Sequence, residues 1–211
     1  MNSETFHRLH NLRMENDAAK FAMDDMRPRF DQMKNRKENG TAPRAIVAYQ
    51  LFQTPKAIAS RLVSMLNLKP GARVLEPSAG LGRLLDALGP CKPSEIVAVE
   101  LTQQCAGELF KQDRSGVVIK QRDFLTMTTD DLGTFDAVVM NPPFHMRSDI
   151  RHIEHALKFL KPGGRLATIC LDTHHRREAF EEMAEMWVDL NAGEFRESGT
   201  MVSTALIVIQ K

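Results

Sequence analysis

Residues 135–144 read Phe-Asp-Ala-Val-Val-Met-Asn-Pro-Pro-Phe, an apolar run that ends in a turn rich in hydrogen-bond acceptors. Asn141 carries a side-chain acceptor, while Pro142 and Pro143 fix φ and lack N–H groups, so the turn is stiff and its carbonyl oxygens can accept from a ligand. Phe144 adds a flat ring beside these acceptors. The combination suits a planar substrate that carries an exocyclic amine. Taken alone, the motif fits a strand-ending turn with a core Phe equally well.

A glycine-containing turn lies upstream of this motif. The apolar run 72–76 ends in an acid and is followed by Pro77-Ser78-Ala79-Gly80-Leu81-Gly82 and a predicted helix over 83–88. Gly80 and Gly82 let the backbone approach a ligand closely, and the helix N-terminus presents N–H groups to a carboxylate or phosphate. The pattern predicts a strand, a ligand-binding loop and a helix.

Acids end two successive predicted strands. Glu76 closes the first, and Glu100 closes the apolar run 96–100, where it is placed to accept hydrogen bonds from two ribose hydroxyls. The pair favours a nucleoside-containing cofactor over a structural turn. The spacing fits neither the three-glycine dinucleotide fingerprint nor a phosphate loop, so NAD and ATP are disfavoured.

Four motifs occur in the order found in Rossmann-like S-adenosylmethionine-dependent methyltransferases, which this chain resembles. They are Leu75-Glu76-Pro77-Ser78-Ala79-Gly80-Leu81-Gly82, Val99-Glu100, Arg122-Asp123-Phe124 and Asn141-Pro142-Pro143-Phe144. The similarity is closest to the amino-methylating branch that includes adenine-N6 DNA methyltransferases of the gamma arrangement. Phe52-Gln53-Thr54-Pro55 resembles the cofactor-side motif that those enzymes place before the glycine loop, and the pattern through 194–200 is similar to small phage and prophage DNA methylases.

The resemblance covers about residues 45–211. It implies a three-layer, Rossmann-like α/β fold with a seven-stranded, mostly parallel sheet whose last strand is antiparallel. Residues 1–44 match no known motif and are predicted to form a charged helical extension, which packs on the domain or on a second subunit or contacts nucleic acid.

The resemblance also implies S-adenosyl-L-methionine as the cofactor. The residues expected to bind it are Phe52, Thr54, Pro55, Glu76, Pro77, Ser78, Ala79, Gly80, Gly82, Glu100, Leu101, Asp123, Phe124 and Asn141. Thr54 and the 78–82 loop would hold the methionine moiety, and Asp123 the adenine amino group with Phe124 against the ring. Asp123 and Phe124 could instead be a loop acid and a core aromatic. Thr54 is also expected to cap a helix over 55–66, with Pro55 in its first position.

The acceptor side follows from the same resemblance. Asn141, Pro142, Pro143 and Phe144 form the catalytic motif and would grip the methyl-accepting base. Substrate contacts are expected from a basic rim and two aromatic rings, namely Phe144, His145, Arg147, Arg151, His174, Arg176, Arg177 and Phe195. Solvated helix starts are the alternative for the basic residues, and a core position is favoured for Phe195. No metal-binding motif is present, and the expected chemistry needs no metal.

The rest of the chain is predicted as a helix near 149–160, a turn at 161–164, a strand at 165–171, a helix near 176–189 and a terminal strand pair at 194–198 and 203–210. With 211 residues, 43% of them apolar, the chain can bury one domain plus an appendage. Its formal net charge of +1 predicts modest, salt-sensitive binding to nucleic acid.

Cys91, Cys105 and Cys170 are widely spaced, which favours reduced thiols in a cytoplasm. No run approaches the about 18 apolar residues of a membrane span. The expected partners are DNA first and RNA second. Few residues are available for sequence recognition, so specificity is expected to be loose or to come from a protein partner or a homodimer formed through 1–44.

Three functions remain open at this stage. Adenine-N6 methylation of DNA is favoured by the 52–55 segment and by Phe144. Methylation of an RNA base, at guanine N2 or adenine N6, or of a protein glutamine is the second, because guanine-N2 enzymes share the Asn-Pro-Pro-Phe-His sequence. The third is a non-catalytic SAM-binding protein of phage assembly or anti-restriction.

Overall fold

The computed structural model describes residues 53–191, 194–195 and 203–211. The chain divides into two units, Met1–Ala45 and Ile46–Lys211, and the fold below concerns the second. The extension 1–44, Phe52 and residues 196–200 lie outside the described residues, so their predicted roles stay predictions.

Strands and helices alternate along most of the described chain. The strands are β1 (Arg73–Glu76), β2 (Glu95–Glu100), β3 (Val117–Gln121), β4 (Phe135–Met140), β5 (Leu160–Leu171), β6 (Ala184–Leu190) and β7 (Thr204–Gln210). The helices are α1 (Lys56–Met65), α2 (Arg83–Leu88), α3 (Gln103–Lys111), α4 (Thr129–Leu132), α5 (Ser148–Leu157) and α6 (His174–Phe180). Short 3₁₀ helices lie at Gly89–Cys91, Phe124–Thr126 and His145–Arg147.

The strands form one seven-stranded sheet in the order β3-β2-β1-β4-β5-β7-β6. The pairs from β3 to β5 are parallel, whereas β7 runs antiparallel to both β5 and β6. The predicted Rossmann-like α/β fold is therefore confirmed. Because the order reverses direction at β1 and β4, the carboxyl ends of these two strands open a crevice of the kind where α/β proteins bind ligands.

The apolar runs become central strands because both of their faces are covered. In β1, Val74 belongs to the core cluster on one face of the sheet and Leu75 to the cluster on the other, and both are fully buried. Alternate residues of a strand point to opposite faces, so a continuous apolar run is the expected pattern for a buried parallel strand. This packing fixes the ends of β1 and β4, where the predicted motifs begin.

The predicted helix near 176–189 is wrong in its second half. Helix α6 ends at Phe180, and Ala184–Leu190 form the edge strand β6, which pairs with β7. Helix-favouring Glu, Ala and Met residues dominate 178–186, but Trp187 and Val188 suit a strand, and pairing with β7 overrides the local preference. A strand was predicted at 194–198, but residues 194–195 form a turn, and the strand that pairs with β7 is Ala184–Leu190.

One smaller prediction also needs correction. Residues 161–164 lie within the long strand β5, where Gly163 has a φ of +76° and the pairing with β4 is irregular. The left-handed backbone at this glycine gives the strand the bend that the sequence indicated as a turn.

No helix among the described residues is long and apolar enough to cross a membrane.

Candidate active site

A cavity of about 410 Å³ lies at the carboxyl ends of β1, β2, β3 and β4. The glycine turn after β1 and the Asn-Pro-Pro turn after β4 both line it, so the two predicted motifs share one space. The predicted residues among its walls are Thr54, Glu76, Pro77, Ser78, Gly80, Glu100, Leu101, Asp123, Phe124, Asn141, Pro142, Pro143, His145 and Arg151. Pro55, Ala79, Gly82, Phe144 and Arg147 are not wall residues but adjoin them in sequence.

The glycine turn is held to β2 by hydrogen bonds. The Gly80 N–H donates to Oε2 of Glu100 at 2.8 Å, and the Thr102 N–H donates to Oε1 at 2.7 Å. Ala79 donates to the Val99 carbonyl oxygen at 3.0 Å. Each carboxylate oxygen can accept more than one hydrogen bond, so Glu100 is oriented by the backbone and can still accept hydroxyl groups.

The second glycine of the turn lies where no side chain fits. Gly82 has a φ of +84°, and a Cβ there would lie 2.8 Å from the guanidinium of Arg114 and 2.9 Å from Leu109 Cδ2. Arg114 in turn donates to Asp86 at 2.7 Å. The sequence predicted a close approach of a ligand at Gly82, whereas the atoms close to Gly82 are side chains of the protein itself.

Glu76 places a buried carboxyl group in the cavity wall. Its residue is 1% exposed, and Oε2 has no hydrogen-bond partner among the described residues. Burial raises the pKa of Glu76 well above its usual value, and the opposing charge of Arg114 compensates only in part. A buried acceptor without a partner is costly, so the site suits a ligand that brings a cationic donor.

Arg83 contributes the opposite charge, and the sequence analysis missed it. Its side chain lines the cavity, its Nε is buried without a hydrogen-bond partner among the described residues, and Nη2 lies 3.4 Å from Oε1 of Gln53. The available sequence clue is a cation directly after the glycine turn. Glu76 and Arg83 together present a carboxyl group and a guanidinium, which match the ammonium and carboxylate of an amino acid.

The opposite side of the cavity has aromatic walls. Asp123 accepts from the Leu125 N–H at 3.0 Å and so begins the short helix Phe124–Thr126. Phe124 is 2% exposed and packs on His155 and Phe159, with ring centroids 4.8 and 5.3 Å away. Phe124 is therefore a core aromatic that also lines the cavity.

His152 is a second wall residue that the sequence analysis did not single out. Its Nδ1 lies 2.7 Å from the carbonyl oxygen of Ser148, one helical turn earlier. Burial lowers the pKa of His152 below its usual value. Since a carbonyl oxygen only accepts, Nδ1 carries the hydrogen, and the neutral ring has its lone pair on Nε2.

Asn141 is oriented by Thr54. Its Nδ2 donates to the buried Oγ1 of Thr54 at 3.0 Å, which assigns the other end of the amide, Oδ1, as the acceptor. The predicted capping role of Thr54 is wrong, because Pro55 is the N-cap of α1 and no side chain caps the helix. The hydroxyl of Thr54 serves the tertiary contact with Asn141 instead.

The loop after the Asn-Pro-Pro turn has a left-handed backbone at two positions. Met146 has φ 50° and ψ 38°, and Arg147 has φ 59° and ψ 28°. Met146 lines the cavity and is 81% exposed, whereas Phe144 is half-buried and packs against one core cluster. Non-glycine residues adopt this conformation at a cost, and such residues are frequent at functional sites.

Part of the predicted basic rim is used elsewhere in the structure. Arg176 is buried and donates twice to Asp149, at 2.8 and 3.0 Å, and Arg177 pairs with Asp172, Glu181 and Asp189. These two arginines, and His174 beside them, do not line the cavity. Acidic side chains pair with both arginines at this helix start, but Arg176 is buried and so is not part of a solvated helix start.

Phe195 is 3% exposed and belongs to a core cluster, so the core interpretation of this residue is the one that the structure supports. The cations that do line the cavity are Arg83, Arg122 and Arg151, with His145 beside them. Among the described residues, no group of His, Cys, Asp and Glu side chains could hold a metal ion.

The sheet order, the glycine turn and the crevice define a Rossmann-like α/β protein with a cavity where such proteins bind nucleoside-containing ligands. Over residues 48–200 the sequence matches the family model described as a methyltransferase domain, and the chain belongs to this family. The predicted cofactor, S-adenosyl-L-methionine, is thereby confirmed. A search of curated protein sequences found no match.

Solved structures share the fold. A candidate RNA methyltransferase from Pyrococcus horikoshii has 16% identity and a TM-score of 0.63, covering 77% of this chain and 88% of that one. TrmN from Thermus thermophilus has 21% identity and a TM-score of 0.60, covering 74% and 48%. A modification subunit of a candidate type I restriction enzyme from Vibrio vulnificus YJ016 has 16% identity and a TM-score of 0.61, covering 89% and 49%. This chain thus spans about half the length of the last two.

Proposed function

We propose that the protein transfers a methyl group from S-adenosylmethionine to an exocyclic amine of a nucleic-acid base, with adenine N6 in DNA as the first choice. The observation that carries the proposal is the contact of Asn141 Nδ2 with Thr54 Oγ1 at 3.0 Å, inside the cavity that the glycine turn also lines. With the amide in this orientation, the amide oxygen of Asn141 would accept a hydrogen bond from a substrate amine.

The chemistry must overcome the poor nucleophilicity of the amine, whose lone pair is delocalised into the ring. The Oδ1 of Asn141 and the carbonyl oxygen of Pro142 would accept the two amine hydrogens, which draws the nitrogen toward tetrahedral geometry and frees its lone pair. The cofactor would supply a sulfonium methyl group, so that the N–C bond forms as the C–S bond breaks, S-adenosylhomocysteine leaves as a thioether, and the amine loses one proton to solvent. Most of the rate would then come from positioning and from preorganised dipoles, because the acceptors lie on a stiff turn.

The cofactor fits the charges of the cavity. Glu76 and Arg83 would bind the ammonium and the carboxylate of its amino-acid part, and each has a buried polar atom without a partner among the described residues. Glu100, oriented by Gly80 and Thr102, would accept the ribose hydroxyls. Asp123 and Phe124 would bind the adenine, as the family resemblance implies.

A nucleic-acid acceptor is supported by the charge at the cavity mouth. Arg122 and Arg151 line the cavity, and Arg147 and His145 adjoin them on the loop after the acceptor turn. Phosphate contacts from such residues supply sequence-independent affinity. The structural neighbours include a modification subunit of a candidate restriction enzyme, which favours DNA.

RNA is the second candidate. Two of the neighbours are named or described as RNA-modifying enzymes, and Asn141-Pro142-Pro143-Phe144-His145 also occurs in guanine-N2 enzymes that the chain resembles. The same acceptors would bind the N2 amine of guanine, since both amines offer two hydrogens.

The full chain should be incubated with methyl-labelled S-adenosylmethionine and with unmethylated genomic DNA, total RNA or protein, followed by mass spectrometry of nucleosides and amino acids. We expect N6-methyladenine in DNA. N2-methylguanosine in RNA with unaltered DNA would reject the first choice, and methylglutamine would reject both nucleic-acid candidates.

The matched variants are Asn141→Ala and Asn191→Ala. Asn191 is exposed and lies outside the cavity wall. We expect Asn141→Ala to lose transfer by more than about 100-fold, as for removal of a key polar group, while S-adenosylhomocysteine binding changes little. Equal effects of the two variants would contradict the assignment of Asn141 and favour a non-catalytic protein.

A further inference from the structure

Met146 exposes a large apolar side chain at the mouth of the cavity. It is 81% exposed, more than Leu101, Phe110, Val118 and Met183, the other large apolar side chains that stand out from the described surface. The same residue lines the cavity. Its side chain is therefore positioned between the acceptor turn and the solvent, where a macromolecular substrate would approach.

The loop that carries Met146 is held in place from both sides. Pro142 and Pro143 stiffen the chain before it, and Asp149 anchors the chain after it through the buried pair with Arg176. Between these anchors, Met146 and Arg147 have left-handed backbone conformations that non-glycine residues seldom adopt. The fold thus maintains a strained backbone that presents Met146 outward.

Two cations follow the exposed methionine along the chain. Arg147 is its neighbour in sequence, and Arg151 follows one helical turn later on α5. Neither arginine forms an ion pair within the described part of the chain. An apolar tip followed by two cations on the same loop and helix matches a duplex, which offers stacked bases beside rows of phosphates.

We propose that Met146 enters a DNA duplex at the target site and fills the space that the flipped adenine leaves, while Arg147 and Arg151 contact the adjacent phosphates. The inference rests on the proposed function and names double-stranded DNA as its substrate. A base in a duplex cannot reach a pocket at a sheet edge, so it must leave the stack. An unbranched, polarizable methionine suits an irregular gap between bases.

The test compares native and heat-denatured unmethylated genomic DNA as acceptors at equal nucleotide concentration, with labelled S-adenosylmethionine. Single-stranded adenine needs no flipping out of a duplex. We expect Met146→Ala to reduce methylation of native DNA about tenfold and to change methylation of denatured DNA less than about twofold. Met146→Leu, which keeps the apolar bulk, should retain most of the activity on native DNA.

Met183→Ala is the matched control, because Met183 is 48% exposed and does not line the cavity. It should leave both rates unchanged. Equal losses of Met146→Ala on both DNA forms, or a matching loss of S-adenosylhomocysteine affinity by calorimetry, would assign Met146 to the cofactor pocket and overturn the inference. A wild-type protein that methylates only denatured DNA or only RNA also overturns it. If the wild type modifies no nucleic acid, the proposed function itself fails.

Discussion

The amide nitrogen of Asn141 lies 3.0 Å from the hydroxyl oxygen of Thr54, a residue 87 positions earlier in the chain. The contact joins the acceptor turn after β4 to the segment that leads into α1. Because a buried amide with one end bound has its other end oriented, the direction of the Asn141 oxygen depends on a residue outside the motif.

Thr54→Val should therefore impair catalysis while preserving the shape of the site. It removes the acceptor that Thr54 Oγ1 offers to the half-buried amide of Asn141, at a cost of about 1–3 kcal/mol. If the Asn141 amide is no longer oriented in the transition state, the same free energy is added to the activation barrier, and kcat falls about 10- to 100-fold. Steady-state kinetics with the acceptor that the labelling experiment identifies would measure it. Thr54→Ser keeps the hydroxyl and should retain most of kcat, and equal kcat values for the two variants would contradict the orienting role.

Glu76 should make cofactor binding depend on pH. Burial raises the pKa of Glu76 in the free protein, and a bound ammonium would lower it again. Binding then releases protons, and affinity for S-adenosylhomocysteine rises with pH until the pKa of the free protein is passed. Calorimetry in buffers of different ionisation enthalpy would detect the released protons.

The matched variant Glu76→Gln should bind S-adenosylhomocysteine at least about tenfold more weakly, because a charge-assisted hydrogen bond is replaced by a neutral one.

The stability of the Glu76→Gln variant should change in the opposite sense. The pKa of Glu76 is higher in the folded protein than in the unfolded chain. The free energy of unfolding of the wild type therefore falls as the pH rises from the unfolded-state pKa through the folded-state pKa of this carboxyl group. The ligand-free variant should lack this loss and be more stable near pH 8. A wild type no less stable than Glu76→Gln at that pH would contradict the prediction.

Gly82→Ala and Gly71→Ala separate backbone strain from close packing. Both glycines have nearly the same φ, +84° and +83°, but only the Cβ at Gly82 would meet neighbouring atoms. Gly71→Ala should cost about 1–2 kcal/mol from the left-handed backbone alone. Gly82→Ala should cost about 1–3 kcal/mol more from overpacking against Arg114 and Leu109. Urea unfolding measures the loss of stability of each variant. Equal losses would show that Arg114 and Leu109 move aside without a cost in free energy.

Asp149→Ala should destabilise the protein by about 3–5 kcal/mol, because it leaves Arg176 buried without its partner. Asp149 is fully buried and Arg176 is 6% exposed. The exposed pair Lys111–Glu108 is the control, and Lys111→Ala should change stability by less than about 1 kcal/mol. Denaturant unfolding measures both, and a loss below about 1 kcal/mol for Asp149→Ala would contradict the prediction. Combining Asp149→Leu with Arg176→Met should recover much of the stability.

The sequence predicted the elements whose signals are local and consistent. β1, β2 and β4 contain continuous apolar runs, and the glycine turn, Glu100 and the Asn-Pro-Pro turn lie at their ends. The edge strand β6 was missed because Glu and Ala favour a helix locally, and only pairing with β7 decides the outcome. A single sequence contains no direct sign of that pairing.

In the candidate site, too, the features with local sequence signals were predicted and those that depend on tertiary contacts were missed. The glycine turn and the Asn-Pro-Pro turn were found because the residue types themselves restrict the backbone. Arg83, His152 and the Thr54–Asn141 contact were missed, since each depends on which side chains meet across the sheet edge. Arg176 and Arg177 were assigned to the rim because nothing in their local sequence reveals the acids that they contact.

The buried pair of Asp149 and Arg176 ties α6 to the first turn of α5. Substitution of either partner alone leaves an uncompensated charge, so evolution can change them only together or through a neutral intermediate. Among homologues of this chain, positions 149 and 176 should therefore covary, as an acid with an arginine or as two apolar residues.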